Sequence, residues 1–227
     1  MHKRCLYIFF LKFAYQSSVF MRRFFFCAAA LLLSFFAASA QEAVKDDAGA
    51  WLNLQVNGGF GKAYTFARLE HRSNGNFSNT ECWFAVAGGG YSLTKWLKAD
   101  ANYEFWHLGD GGIRHKAVVS TTGSINRSGL SVQVREKLEL AYNPANGQWA
   151  PTLRSRLRTQ YAIPNSAFRP YCMAEIFNWD SWQRSLYYAG TEITLNKSLF
   201  LDVFYLYHLP AVGRPVHTLG FGLYINL

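Results

Sequence analysis

Between Trp149 and Ile163 the chain changes character at every second residue. The odd positions are Trp149, Pro151, Leu153, Ser155, Leu157, Thr159, Tyr161 and Ile163, while Thr152, Arg154, Arg156, Arg158 and Gln160 occupy even ones. A period of two is the repeat of an extended strand, whose successive side chains point to opposite faces. One face is then mainly apolar and the other charged. The pattern constrains the fold because it recurs. Leu130, Val132, Val134, Leu138 and Leu140 alternate with Ser131, Gln133, Arg135, Lys137 and Glu139, and Glu136 interrupts the apolar face. Leu219, Phe221, Leu223, Ile225 and Leu227 alternate with Thr218, Gly220, Gly222, Tyr224 and Asn226. Leu52, Leu54 and Val56 oppose Asn53, Gln55 and Asn57, and Leu97, Ala99, Ala101, Tyr103 and Phe105 oppose Lys98, Asp100, Asn102 and Glu104.

Turn residues punctuate these runs: Gly58-Gly59, Asp110-Gly111-Gly112, Asn143-Pro144 and Asn146-Gly147. Gly88-Gly89-Gly90 reads as a strand bend or a small-residue packing site. Leu93-Thr94-Lys95-Trp96 and Leu195-Asn196-Lys197-Ser198 resemble one another and read as tight turns within hairpins. The strands expected are 51–58, 63–72, 81–91, 96–107, 113–122, 129–142, 149–163, 168–178, 184–195, 199–209 and 216–227, eleven segments in all. Single-chain bacterial barrels have even strand numbers. The expectation is therefore ten or twelve strands, with the glycine-broken stretch around 51–72 holding the miscount.

The N-terminus sets the compartment. Arg22 and Arg23 precede an apolar run from Phe24 to Phe36, which ends in Ala37-Ala38-Ser39-Ala40. A basic start, a short apolar stretch and small residues before the break describe a cleaved secretory signal peptide. The run is shorter than the ~20 residues of a membrane-spanning helix. Residues 1–20 look like a second leader ahead of Met21, which is the expected translation start. The chain thus divides into a leader and signal peptide over 1–40 and one barrel domain over 41–227. The formal net charge of +9 includes Lys3, Arg4, Lys12, Arg22 and Arg23; removing these five from 23 bases leaves 18 against 14 acids, or +4. Basicity is then weak evidence for nucleic-acid binding. Cys27 follows three phenylalanines, which is not the context of a lipidation site, and only Cys82 and Cys172 lie beyond the leader. Their pairing is not readable from the sequence.

A soluble sandwich also alternates, but its apolar faces meet in a shared core. A membrane barrel inverts this, with apolar side chains facing lipid and polar ones facing the lumen. Three features favour inversion. The strands reach ~10 residues, enough to cross hydrocarbon on a tilt. Aromatic residues make up 17% of the chain. They cluster at strand ends, as in Trp83, Trp96, Trp106, Trp149, Trp179 and Trp182, which suits interfacial girdles. The chain also ends on an alternating strand with an apolar last residue, Leu227, the kind of signal barrel-assembly machinery reads. The expectation is an all-β, single antiparallel transmembrane barrel in the outer membrane, with its lipids and the assembly machinery as partners.

On these registers the lumen holds the bases Arg68, Arg72, Lys98, Arg135, Lys137, Arg154, Arg156, Arg158, Arg169 and Arg184. It holds the acids Glu70, Asp100, Glu104, Glu139, Glu175, Glu192 and Asp202. Glu70, Arg72, Arg135, Glu139, Arg154, Arg156, Arg158, Glu175, Arg184 and Glu192 are the foremost candidates. One reading is a basic ladder, led by Arg154, Arg156 and Arg158, lining a pore for anionic solutes. The other is a filled interior of cross-strand ion pairs, which mixed signs and a narrow barrel favour. The expected function is structural or transport-type. An alternative is a barrel enzyme acting on lipid or lipopolysaccharide, with His107, His115 and His208 as its candidates. No GxSxG, HExxH or phosphate-cradling loop is present, and Cys82 and Cys172 lack metal-site spacing, so no catalytic residue, metal or cofactor is expected. A secreted soluble sandwich is the third reading.

The stretch Gly90-Tyr91-Ser92-Leu93-Thr94-Lys95-Trp96-Leu97, followed by Ala101-Asn102-Tyr103-Glu104, resembles an outer-membrane barrel family known as domain of unknown function 2490. The arginine-rich 153–160, Arg169-Pro170-Tyr171 with Glu175-Ile176-Phe177, and Arg184-Ser185-Leu186-Tyr187-Tyr188-Ala189-Gly190 agree with it. The chain departs from the pattern at His115-Lys116-Ala117, where an arginine-proline step is expected. The resemblance implies a barrel and an outer-membrane location, and no activity. Glu175 and Arg184 match its recurring positions and read as a buried lumen ion pair.

Overall fold

A computed structural model describes residues 47–227, so the leader and signal peptide expected over 1–40 lie outside the described residues. Eleven strands follow one another: β1 Asp47–Phe60, β2 Ala63–Asn74, β3 Asn79–Ser92, β4 Leu97–Leu108, β5 Ile113–Arg127, β6 Leu130–Asn143, β7 Gln148–Tyr161, β8 Phe168–Trp179, β9 Ser181–Thr194, β10 Leu199–Pro210 and β11 Val216–Asn226. Each pairs antiparallel with its sequence neighbours, and β1 closes the ring against β11. The closing ladder is parallel, running from Asp47 opposite Val216 to Asn57 opposite Asn226. A single closed ring replaces the two facing sheets of a sandwich.

The expectation of an even strand number is thereby corrected. All eleven alternating segments are strands, and the first is not a miscount. An even ring can close with antiparallel pairs alone, whereas an odd ring must contain one parallel pair. Here the backbone groups of β1 and β11 are satisfied by that parallel seam. Two ends result. The Asp47 end carries the connections at 75–78, 109–112, 144–147, 180 and 211–215; the Leu227 end carries those at 61–62, 93–96, 128–129, 162–167 and 195–198. The two similar turns, 93–96 and 195–198, both join hairpins at the Leu227 end.

Strand β5 runs five residues beyond its expected limit, because β5 and β6 meet through only Ser128 and Gly129. Both have positive φ, 49° and 83°. Positive φ at both central positions is the signature of a type I′ two-residue hairpin, whose twist matches that of the strands. Glycine adopts positive φ freely at the second position.

Parity sorts the two faces. Leu54, Leu69, Val119, Val134, Leu157, Ile176 and Leu219 point outward and are each at least 42% exposed. Trp149, Trp179 and Trp182 are exposed at the Asp47 end, and Phe60, Tyr91, Trp96 and Phe168 at the Leu227 end. Glu136, near the middle of β6, is the charged interruption of this belt; its carboxylate accepts the Ser155 hydroxyl at 2.7 Å. The core is inside. Phe84, Val86 and Cys82 form one buried cluster. Tyr171, Phe177, Leu186, Tyr188, Phe204 and Leu206 form another.

Candidate functional site

The site is the interior of the barrel. Period two places charged and aromatic side chains of the same strand on the same inner face, and closure brings eleven such faces together. Two halves of the interior differ in what they hold.

Toward the Asp47 end aromatic rings and cations pack against one another across the interior. Phe84 and Trp106 stack with ring centroids 3.9 Å apart and planes 8° from parallel. The Arg72 guanidinium lies 3.7 Å from the Trp51 ring, and its Nη2 sits 2.7 Å from Glu70. Lys116 stands 4.0 Å over Trp106, and Arg154 and Arg184 approach Phe177 at 4.3 and 4.1 Å. A cation over an aromatic face is attracted by the ring quadrupole, and more so once desolvated. Leu206, at 0% exposure, marks how fully water is excluded.

A charge network crosses the middle. Glu139 accepts Arg154 at 2.6 Å, Lys137 at 3.0 Å and Lys116 at 3.3 Å. Arg154 reaches Glu175 with its other terminal nitrogen at 2.7 Å. Glu104 accepts Lys137 at 3.0 Å and the Trp106 indole N–H at 2.8 Å. Charges at this depth persist only when paired and hydrogen-bonded. Each carboxylate here has two or more basic or N–H neighbours.

Toward the Leu227 end the interior opens into a cavity of about 330 Å³. Its floor is Trp51, Phe84, Trp106 and Tyr188, and Asn57, Tyr64, Asp100, Arg135 and Arg158 stand nearer the open end. Tyr171 donates to both oxygens of Asp202 at 3.0 and 3.1 Å. Arg158 donates to Glu192 at 2.6 Å, and Gln160 to the other oxygen of Glu192 at 2.6 Å. Small residues make room for rings: a Cβ on Gly220 would fall 2.0 Å from the Phe204 ring, and one on Gly90 2.4 Å from that of Tyr64.

All ten foremost candidates lie on the inner face: Glu70 and Arg72 on β2, Arg135 and Glu139 on β6, Arg154, Arg156 and Arg158 on β7, Glu175 on β8, and Arg184 and Glu192 on β9. The expected pairing of Glu175 with Arg184 does not form. Glu175 goes to Arg154, while Arg184 rests on Phe177. Trp106 belongs to the interior and not to a surface girdle, since it shares the parity of Glu104 on β4. Lys116 sits where an arginine-proline step was expected, and it completes the Glu139 cluster. The inner aromatic residues went unread; their shared parity with charged neighbours was the available signal.

The three histidines of the enzyme reading share no site. His107 stacks on Trp83 outside the ring at 5.3 Å, and His115 on the outer face bonds Tyr103. His208 faces inward with Nε2 buried. Cys82 is inside and Cys172 outside, both as free thiols. Among the described residues no cluster of His, Cys, Asp or Glu is arranged to hold a metal ion.

No curated protein matches the chain. Residues 48–212 match the family described as Protein of unknown function (DUF2490), a stretch that begins one residue into β1 and ends just past β10. With most of the closed ring inside that match, the chain belongs to the DUF2490 family of proteins of unknown function.

Proposed function

We propose that this protein is an outer-membrane β-barrel of structural or transport type whose lumen is blocked at the Asp47 end, so that it is no open diffusion pore. The observation that carries this reading is the inverted distribution of side chains. Leucine, valine and aromatic residues cover the outside, and charges with their ring partners fill the inside. An apolar belt around a whole barrel far exceeds the few hundred Å² that a water-soluble monomer exposes in one patch. Strands of 11 to 15 residues, rising about 3.3 Å per residue at a tilt near 40°, span roughly 30 Å, the thickness of a hydrocarbon core. Aromatic residues at both rims suit the two interfaces.

The stacked Phe84–Trp106 pair, the Arg72–Trp51 contact and the fully buried Leu206 support the proposed blockage. Membrane fractionation and planar-bilayer recording test the two parts separately. The protein is expected in the outer-membrane fraction with heat-modifiable gel mobility. A soluble periplasmic product overturns the location. Reconstituted protein is expected to give no stable single-channel conductance, and a steady unitary current overturns the blockage.

A further inference from the structure

We infer that the open half of the lumen is a binding cup for a small phosphate-bearing anion, held by Arg135, Arg156 and Arg158 with Arg68 facing them from β2. The inference rests on the barrel interior alone and not on the proposed location, so each can fail without the other.

The first observation is register. Arg135 on β6 stands directly opposite Arg156 on β7, and Arg158 follows two residues along on the same face. Like charges directly opposite one another across a sheet are destabilising. The second is that two of the four, Arg68 and Arg156, have no carboxylate within hydrogen-bond reach, while Arg135 meets Asp100 at 3.3 Å and Arg158 meets Glu192 at 2.6 Å. Glu175 pairs with Arg156 in the β7–β8 register, yet it gives one oxygen to Arg154 at 2.7 Å and leaves the other 3.9 Å from Arg156, beyond hydrogen-bond reach. Arg68 is likewise 3.8 Å from Glu70, which is bonded to Arg72. Glu192 is shared between Arg158 and Gln160. The third is unmet donors. The Nε atoms of Arg68, Arg154, Arg156 and Arg158 are buried without a hydrogen-bond partner, and all four side chains line the same cavity; Arg154 alone has both terminal nitrogens on carboxylates.

The contrast with the packed half is informative. There, Arg72, Lys116 and Lys137 each have a carboxylate within 3.3 Å. Arg68 and Arg156, which line the open half, have none that close; at the packed end Arg184 is the exception and rests on the Phe177 ring. Water can satisfy stray N–H groups, but it leaves like-charge repulsion in place. An oxyanion answers both, and guanidinium groups present planar forks that match phosphate oxygens in pairs. A cavity of about 330 Å³ is at the small end of ligand sites. That size fits a phosphate group with a short substituent and not a polymer. The phosphate can belong to a soluble ester or to a lipid headgroup reaching in from the rim.

The test uses the full folded barrel in phosphate-free detergent micelles, titrated with inorganic phosphate and pyrophosphate by calorimetry and ³¹P NMR. Saturable binding at one site is expected. R156Q and R135Q are each expected to weaken it about tenfold or more, the loss of one charged hydrogen bond. R114Q removes one charge from the opposite end and is expected to bind as the parent does. If R156Q does not fold, as judged by gel mobility, R156K keeps the charge without the fork and is expected to weaken binding as well. In phosphate-free buffer R156Q is expected to melt above the parent, because repulsion is relieved, and to lose the upward shift that phosphate gives the parent. Displacement of bound phosphate by phosphatidate in mixed micelles assigns the cup to a headgroup; indifference to phosphatidate assigns it to a soluble phosphate. No saturable binding up to about 10 mM, or equal binding by the parent and a folded R156Q, overturns the proposal.

Discussion

Replacing Arg154 with methionine tests whether the charge network is what holds the middle of the barrel. Arg154 contacts Glu139 at 2.6 Å and Glu175 at 2.7 Å, with its guanidinium 4.3 Å from the Phe177 ring. The two carboxylates suffer unequally. Glu139 keeps Lys137 at 3.0 Å and Lys116 at 3.3 Å, so its loss is small. Glu175 keeps only Arg156 at 3.9 Å, and its side chain is 8% exposed. A buried charge stripped of its partner costs about 3–5 kcal/mol. Methionine fills much of the vacated volume, so little is added for a cavity. R154M is therefore expected to lower unfolding free energy by about 3–5 kcal/mol. E175Q removes the stranded charge, so R154M/E175Q is expected to regain about 1–3 kcal/mol of that loss. Urea unfolding of the folded barrel in micelles, followed by tryptophan fluorescence and gel mobility, measures all corners of the cycle. A cost below about 1 kcal/mol for R154M, or strict additivity in the cycle, refutes the reasoning.

Three further outcomes follow from the structure. G220V drives a side chain into the Phe204 ring, where only 2.0 Å is available for a Cβ; a loss of about 1–3 kcal/mol is expected in thermal melts, and F204A should remove most of the clash. E136L replaces the outward carboxylate of β6 and is expected to stabilise the barrel in lipid vesicles by about 1 kcal/mol, whereas a water-facing surface would instead lose solubility. Cys82 is 1% exposed inside the ring and Cys172 lies outside it. A lipid-soluble maleimide is expected to label Cys172 and to spare Cys82 in the folded barrel, and a Cys82–Cys172 disulfide on non-reducing gels would contradict the register.

Strand positions were legible because alternation is a property of one segment at a time. Arg154, Arg156 and Arg158 declare their shared face without help from any neighbour. Strand number is a different case: eleven segments are readable, but alternation within a segment carries no sign of the parallel β1–β11 seam that lets an odd ring close. Partner choice was not legible. Glu175 could meet Arg154, Arg156 or Arg184, and the stagger of β7 and β9 against β8 decides among them. Trp51 and Trp106 were hidden by chemistry. Tryptophan suits both a wet rim and a buried cation, and only the parity shared with Asn53 or Glu104 separates the two.

The odd strand number bears on how the barrel is built. Ten strands can be delivered as five hairpins, each with its facing edges already paired, but the eleventh has no hairpin partner left. The seam joins β1 to β11, the two strands most distant in sequence, so the ring can seal only after the whole chain is in place. In a bilayer, the two chain ends that flank the seam then emerge in different compartments. An epitope inserted ahead of Asp47 and another appended after Leu227 should be reached by antibodies from opposite sides, which no even-stranded barrel allows.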